Sequence, residues 1–118
     1  MINKTVCVIG LGYIGLPTAS MIASKNYKVY GYDINPDVIK NIETLNFHKK
    51  EPGLKKLVKK VIKKNLFLTS KIKAADIFII CVPTPLKKTK PDIEMVLDSV
   101  NKIKKILKLN NTIIIEST

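Results

Sequence analysis

The run Gly10-Leu11-Gly12-Tyr13-Ile14-Gly15 constrains this chain more than any other stretch, because of what lies on either side of it. Residues 5–9 form an apolar, largely β-branched segment, and residues 14–23 repeat apolar side chains at helical spacing. The glycines therefore fall where a buried strand turns into a helix. Gly10 suits the tight turn, Gly12 lets a pyrophosphate approach the main chain with no Cβ in the way, and Gly15 lets the helix pack closely on the strand. Unpaired N–H groups and the positive end of the helix dipole face the phosphates. Glycines so spaced arise by chance in many chains. Between a strand and a helix, with an acid at the right distance downstream, they mark a dinucleotide site rather than a structural turn.

That acid is Asp33, which ends the short strand of residues 28–33. A carboxylate there accepts hydrogen bonds from both hydroxyls of the adenosine ribose and repels a 2′-phosphate. The next residue is Ile34 rather than an arginine, so the expected cofactor is NAD and not NADP. Asp33 also resembles a helix cap, since Asn35-Pro36 follows it. Asn35 can take the capping role itself, which leaves Asp33 for the ribose.

Length and composition narrow the classes further. A chain of 118 residues that is 46% hydrophobic suffices for one domain with a core. No apolar run approaches the ~18 residues of a membrane span, and the first strand begins too early to leave room for a signal peptide. A soluble cytoplasmic protein is expected. The net charge of +12 suggests nucleic acid or an acidic membrane, yet every basic residue is lysine. The planar arginine fork that reads guanine and grips phosphates in pairs is missing. Lys55, Lys56, Lys59, Lys60, Lys63 and Lys64 alternate with Leu57, Val58, Val61 and Ile62, the pattern of a solvated helix face without aromatic residues for base stacking. Neither nucleic acid nor membrane is expected as a partner. Cys7 and Cys81 lie in apolar runs, and with a single histidine they cannot form a zinc site, so no metal is expected. Both are read as reduced core residues on neighbouring strands, with no nearby base to make either a nucleophile.

Further along, residues 36–45 read as a short helix and residues 54–64 as the lysine-faced one, separated by a Pro52-Gly53 break. His48, in that break, reads as an ordinary surface residue. Residues 66–69 form a third strand, and residues 77–82 form a continuous apolar run suited to a parallel strand covered on both faces. This fourth strand stops at Pro83-Thr84-Pro85, a stiff turn that displays the Thr84 hydroxyl. Residues 87–91 read as a charged surface loop. Asp92 caps a helix over residues 93–109, with Val96, Leu97, Val100, Ile103 and Leu107 inward, and residues 112–116 read as a fifth buried strand. This order predicts an α/β fold: a Rossmann-like, doubly wound parallel sheet in a three-layer αβα arrangement with strand order 3-2-1-4-5. Residues 1–118 then make one incomplete NAD-binding domain whose last strand is a bare apolar edge, as in a piece cut from a longer enzyme.

Together these blocks resemble the nucleotide-sugar dehydrogenases, which oxidise the C6 alcohol of UDP- or GDP-linked hexoses. The resemblance covers essentially the whole chain: residues 8–18, Gly31-Tyr32-Asp33-Ile34-Asn35, Glu51-Pro52-Gly53-Leu54, Val82-Pro83-Thr84-Pro85, Pro91-Asp92 and Glu116-Ser117-Thr118. Within the family it is strongest to the UDP-N-acetyl-D-mannosamine dehydrogenases, with the UDP-glucose and UDP-N-acetylglucosamine enzymes close behind. The resemblance implies a four-electron oxidation of the alcohol to a carboxylate, using two NAD⁺ and a thioester on a cysteine. By position it implies that Gly10, Gly12, Tyr13, Ile14 and Gly15 surround the pyrophosphate, that Asp33 holds the ribose, and that Thr84 approaches the cofactor. Thr118 would sit near both the cofactor and the reacting carbon, as the one catalytic candidate. The family's nucleophilic cysteine, its lysine and its sugar-binding domain match nothing in residues 1–118, so this piece alone is expected to bind NAD and oxidise nothing. A UDP-sugar is the partner implied for the full protein; the oligomeric state stays open, a homo-oligomer included.

Another UDP-sugar 6-dehydrogenase is one competing reading, and a stand-alone regulatory NAD-binding domain is the competitor from a different class. Pro83-Thr84-Pro85 and Glu116-Ser117-Thr118 speak against the latter. The ribose role of Asp33 predicts that titration calorimetry gives tighter binding of NAD than of NADP, whereas comparable affinities would contradict it.

Overall fold

A computed structural model describes residues 2–47 and 52–116. His48 and Glu51 lie outside the described residues, as do Ser117 and Thr118. Among the described residues, seven strands and four helices follow in order: β1 (Ile2–Ile9), α1 (Gly15–Ser24), β2 (Tyr27–Tyr32), α2 (Pro36–Glu43), α3 (Leu54–Val61), β3 (Leu66–Thr69), β4 (Ile77–Ile80), β5 (Leu86–Lys87), β6 (Lys90–Pro91), α4 (Glu94–Lys104) and β7 (Thr112–Ile115). Five strands form one parallel sheet in the order β3-β2-β1-β4-β7. This is the expected Rossmann-like order, with β7 as the fifth strand.

Alternation along β1 assigns the two faces of the sheet. Val6 and Val8 point to one face, where they meet Leu16, Ala19 and Ala23 of α1, Ile42 of α2, and Leu54, Val58 and Val61 of α3. Cys7 and Ile9 point to the other, where Phe78, Ile80 and Tyr32 pack with Ile103 of α4. Helices thus cover both faces, giving three layers. Each fully buried aliphatic side chain contributes about 1.5–3 kcal/mol by leaving water, so these two clusters outweigh any single polar contact.

Helix α1 closes near residues 25–26 as expected, whereas α2, α3 and α4 end earlier than the sequence suggests. Asn26 sits at φ +70°, and its N–H donates to the Ala23 carbonyl at 3.1 Å, which closes α1. Asn35 caps α2 as expected, its side-chain oxygen accepting from the Asp37 N–H at 3.0 Å. The lysine-faced helix stops at Val61, three residues early, because Lys63 turns at φ +64° and its N–H donates to the Leu66 carbonyl at 2.8 Å. The charged loop after Pro85 is instead a two-stranded hairpin, β5 with β6, tied at its base by the Asp92 N–H donating to the Pro85 carbonyl at 2.7 Å. Helix α4 ends at Lys104 rather than near Leu109; Asn111 Oδ1 accepts from the Lys108 N–H at 2.9 Å in the turn that follows. Only Ile103 of its five expected core residues is buried, and Leu97 and Leu107 are exposed.

The fifth strand is the apolar edge expected, and not the buried strand that its residues suggest. Ile113, Ile114 and Ile115 of β7 are 36%, 45% and 55% exposed, since β7 pairs on one side only, with β4. Its apolar sequence is that of a covered strand, and its position in the sheet is an edge.

A polar clamp ties the start of β1 to the start of β4. Asp76 Oδ2 accepts from the Thr5 N–H at 2.8 Å and from the Thr5 hydroxyl at 3.2 Å. The backbone bond from Thr5 leads in holding the Asp76 carboxyl below its ordinary pKa of 3.8, with the Thr5 hydroxyl and the charge of Lys4 adding to it. A pKa depressed by folding contributes stability that is complete above the unfolded value and lost as pH falls through the folded one. The melting temperature of the wild type is therefore expected to decline below about pH 4, and Asp76→Asn to remove part of that acid limb while lowering stability at pH 7. Parallel pH profiles of the two proteins in scanning calorimetry would contradict the clamp.

Candidate dinucleotide-binding site

The turn from β1 into α1 is built by close backbone approach. Gly10 adopts φ +93° and donates its N–H to the Tyr32 carbonyl at 2.9 Å. A Cβ on Gly10 would come within 3.0 Å of the Cys81 carbonyl, and one on Gly15 within 1.6 Å of the Gly10 oxygen. Neither position admits a side chain. Gly12 is different: a Cβ there would meet nothing within 4 Å, because its open side faces the cleft. No side chain caps α1, and its first turn contains no acidic residue. Among the described residues no side-chain cap meets the positive end of that helix, which leaves it available to an anion.

Asp33 locks this turn to the end of β2. Its Oδ2 accepts from the Leu11 N–H at 2.9 Å and its Oδ1 from the Asn35 N–H at 2.9 Å. A carboxylate carries about four lone-pair sites, so each oxygen keeps one for a further donor. The cap of α2 falls to Asn35, which separates the two roles that the sequence left competing for Asp33.

These groups line a cleft of about 780 Å³ along the C-terminal ends of β1, β2 and β4. Gly10, Gly12, Tyr13, Ile14, Asp33 and Thr84 all contribute to its wall, whereas Gly15 lies buried beneath it. Thr84 enters between Pro83 and Pro85. Thr118 falls outside the described residues. In a doubly wound sheet this is the switch point, where the chain leaves β1 toward one side and β4 toward the other.

The cleft also contains residues that sequence patterns did not single out. Asp98, Ser99 and Lys102 line it from α4 together with Met95, at the 3–4–7 spacing that puts four side chains on one helix face. Lys102 donates to the Tyr32 hydroxyl at 3.0 Å, and its ammonium lies 5.5 Å from the centre of that ring. A polar stripe within an apolar helix was the signal available; nothing in the sequence tied it to the glycine turn. At the other end of the cleft, Cys81 Sγ lies 3.7 Å from Glu116 Oε2. Burial, assisted by the Glu116 charge, pushes the Cys81 thiol up to about 12, and burial raises Cys7 to about 11. Both stay protonated at neutral pH and act as core side chains rather than nucleophiles. Cys7 lies within β1 and Cys81 directly follows β4, and the two pack on opposite faces of the sheet. Among the described residues, no group of three His, Cys, Asp or Glu is placed to hold a metal, and no helix is long and apolar enough to cross a membrane.

Comparison with known proteins agrees with this geometry. The model of the UDP-glucose/GDP-mannose dehydrogenase family, NAD binding domain, matches residues 4–118. A UDP-N-acetyl-D-mannosamine dehydrogenase of Methanococcus vannielii is 49% identical over 98% of this chain and 28% of its own length. Among solved structures, the native UDP-N-acetyl-mannosamine dehydrogenase of Staphylococcus aureus superposes with a TM-score of 0.91 at 39% identity, over 98% of this chain and 29% of that one. The corresponding enzyme of Pyrococcus horikoshii gives 0.90 at 40% identity, over 97% and 28%. The chain thus spans less than a third of the length of these relatives.

Proposed function

The chain belongs to the UDP-glucose/GDP-mannose dehydrogenase family, as its NAD binding domain, and on that premise we propose that it holds NAD for an enzyme oxidising the C6 alcohol of UDP-N-acetyl-D-mannosamine to a carboxylate. The sugar is taken from the relatives' names; the residue roles rest on the cleft. The observation that carries them is Gly12, where the main chain is open to the cleft between two glycines that are closed by their own neighbours. A diphosphate resting there meets the open main chain at Gly12 and the end of α1 that no side chain caps. Tyr13 and Ile14, 58% and 50% exposed, flank that position.

Asp33 takes the two hydroxyls of the adenosine ribose on the lone pairs left after its bonds to the Leu11 and Asn35 amides. Because those amides already fix the carboxylate, little side-chain freedom is lost on binding, which favours affinity. Thr84, held between two prolines, lines the cleft beyond the end of β4. Thr118 is retained as the residue nearest the reacting carbon, on resemblance alone. The chemistry the dinucleotide supplies is hydride acceptance from C6, twice for each carboxylate formed. The nucleophile and the sugar pocket belong to the part of the relatives' length that residues 1–118 do not span.

Two glycine variants separate folding from binding. Gly12→Ala is expected to fold with nearly wild-type stability, since its methyl group enters open space, and to lose NAD⁺ affinity by tenfold or more, the scale of one or two charge-assisted amide bonds at about 1.5–3 kcal/mol each. Gly15→Ala is expected not to reach the native fold at all, by circular dichroism and thermal melting. A Gly12→Ala protein that binds NAD⁺ as tightly as the wild type would contradict the assignment.

A further inference from the structure

The cleft is acidic in a strongly basic protein. Among the described residues that line it, Asp33, Asp98 and Glu116 carry carboxylates and Lys102 the sole ammonium, while the chain as a whole bears +12. The charges are also unevenly placed. Lys102 is bonded to the hydroxyl of Tyr32, the last residue of β2, whose ring packs on the α4 side of the sheet. Glu116 lies at the opposite end: its N–H donates to the Ile80 carbonyl at 2.9 Å, and Oε2 is 3.7 Å from Cys81 Sγ, beyond the last residues of β4 and β7. The order β2-β1-β4-β7 separates the Asp33 and Glu116 ends by three strand spacings, roughly 14 Å.

Resting on the NAD reading above, the direction of the dinucleotide follows from this layout. With the diphosphate at the Gly10–Gly15 turn and the adenosine half on Asp33, the other half leaves the turn toward β4 and β7, the end that Glu116 occupies. Its ring is a cation when oxidised and neutral when reduced. We propose that Glu116 makes the site selective for redox state, holding NAD⁺ in preference to NADH through the charge its carboxylate places at the nicotinamide end of the cleft. No described ammonium that lines the cleft counters it there. A site biased in this way releases the reduced cofactor more readily than it lets go of the oxidised one, which suits a reaction that needs two oxidised cofactors in succession.

A charge effect differs from a hydrogen bond in what it discriminates. Were Glu116 simply to accept a bond from the carboxamide N–H₂, both redox forms would gain equally, because that group is present in each. An exposed carboxylate near a unit cation in a partly solvated cleft is worth a factor of three to ten at low ionic strength, falling as salt is added.

The test is equilibrium titration of the chain with NAD⁺ and with NADH, in wild type, Glu116→Gln and Glu116→Lys, at low and high salt. The expected result is that Glu116→Gln weakens NAD⁺ by three- to tenfold and leaves NADH within twofold, that Glu116→Lys drives the ratio further in the same direction, and that salt narrows the wild-type difference. Equal changes for both forms, or no change for either, would overturn the charge bias and leave the NAD site standing. A wild type that binds neither form at millimolar concentration would overturn the dinucleotide reading, and this inference with it.

Discussion

Residue 15 has no room for a methyl group: it would stand 1.6 Å from the carbonyl oxygen of Gly10, closer than any nonbonded pair can come. The rest of the molecule follows from that contact. Helix α1 can begin directly over the end of β1 only because two backbones touch there, and with α1 in place Leu16, Ala19 and Ala23 reach the sheet and bury themselves against Val6, Val8 and Val29. Gly10 is closed from below by the Cys81 backbone in the same way, so β1, α1 and the end of β4 form one rigid corner. A corner made of main chain leaves its amides at the surface, and a helix starting there without a side-chain cap adds its dipole to them.

Function enters where this crowding stops. Gly12 lies between two glycines that packing requires, yet packing does not require glycine at Gly12 itself. Its bare main chain is open to the cleft, where the proposed diphosphate would rest. Asp33 links the corner to β2 and presents the same carboxylate to the cleft, so the group that would recognise the ribose is also one that stiffens the turn. Fold and site thus share their parts, as expected when a ligand is held by backbone atoms and not by long side chains.

What could be read in the sequence was whatever is dictated locally. The glycine spacing, the Asn35-Pro36 helix start, the turn at Pro83 and Pro85 and the unbroken apolar run of β4 each state a backbone requirement in adjacent residues, and they yielded the sheet order and most of the cleft. Contacts made across the fold were not legible. Lys102 reaches Tyr32 from seventy residues away, and Glu116 meets Cys81 from thirty-five. The end of α3 was misjudged because a non-glycine residue, Lys63, takes a left-handed turn, while the periodic apolar and lysine pattern runs on past the point where the backbone has already turned. The hairpin β5–β6 lacks the Asn-Gly signal of a tight turn and so resembled a loop. The edge position of β7 was legible but its burial was not, because its isoleucines describe a covered strand and the described residues supply no neighbour for its outer side.

The most direct measurement is a crystal structure of the chain grown with NAD⁺. The account predicts the diphosphate against the amides between Gly10 and Gly15 at the start of α1, with both adenosine ribose hydroxyls on Asp33. A dinucleotide bound elsewhere on the sheet, or a ribose turned away from Asp33 at full occupancy, would contradict it.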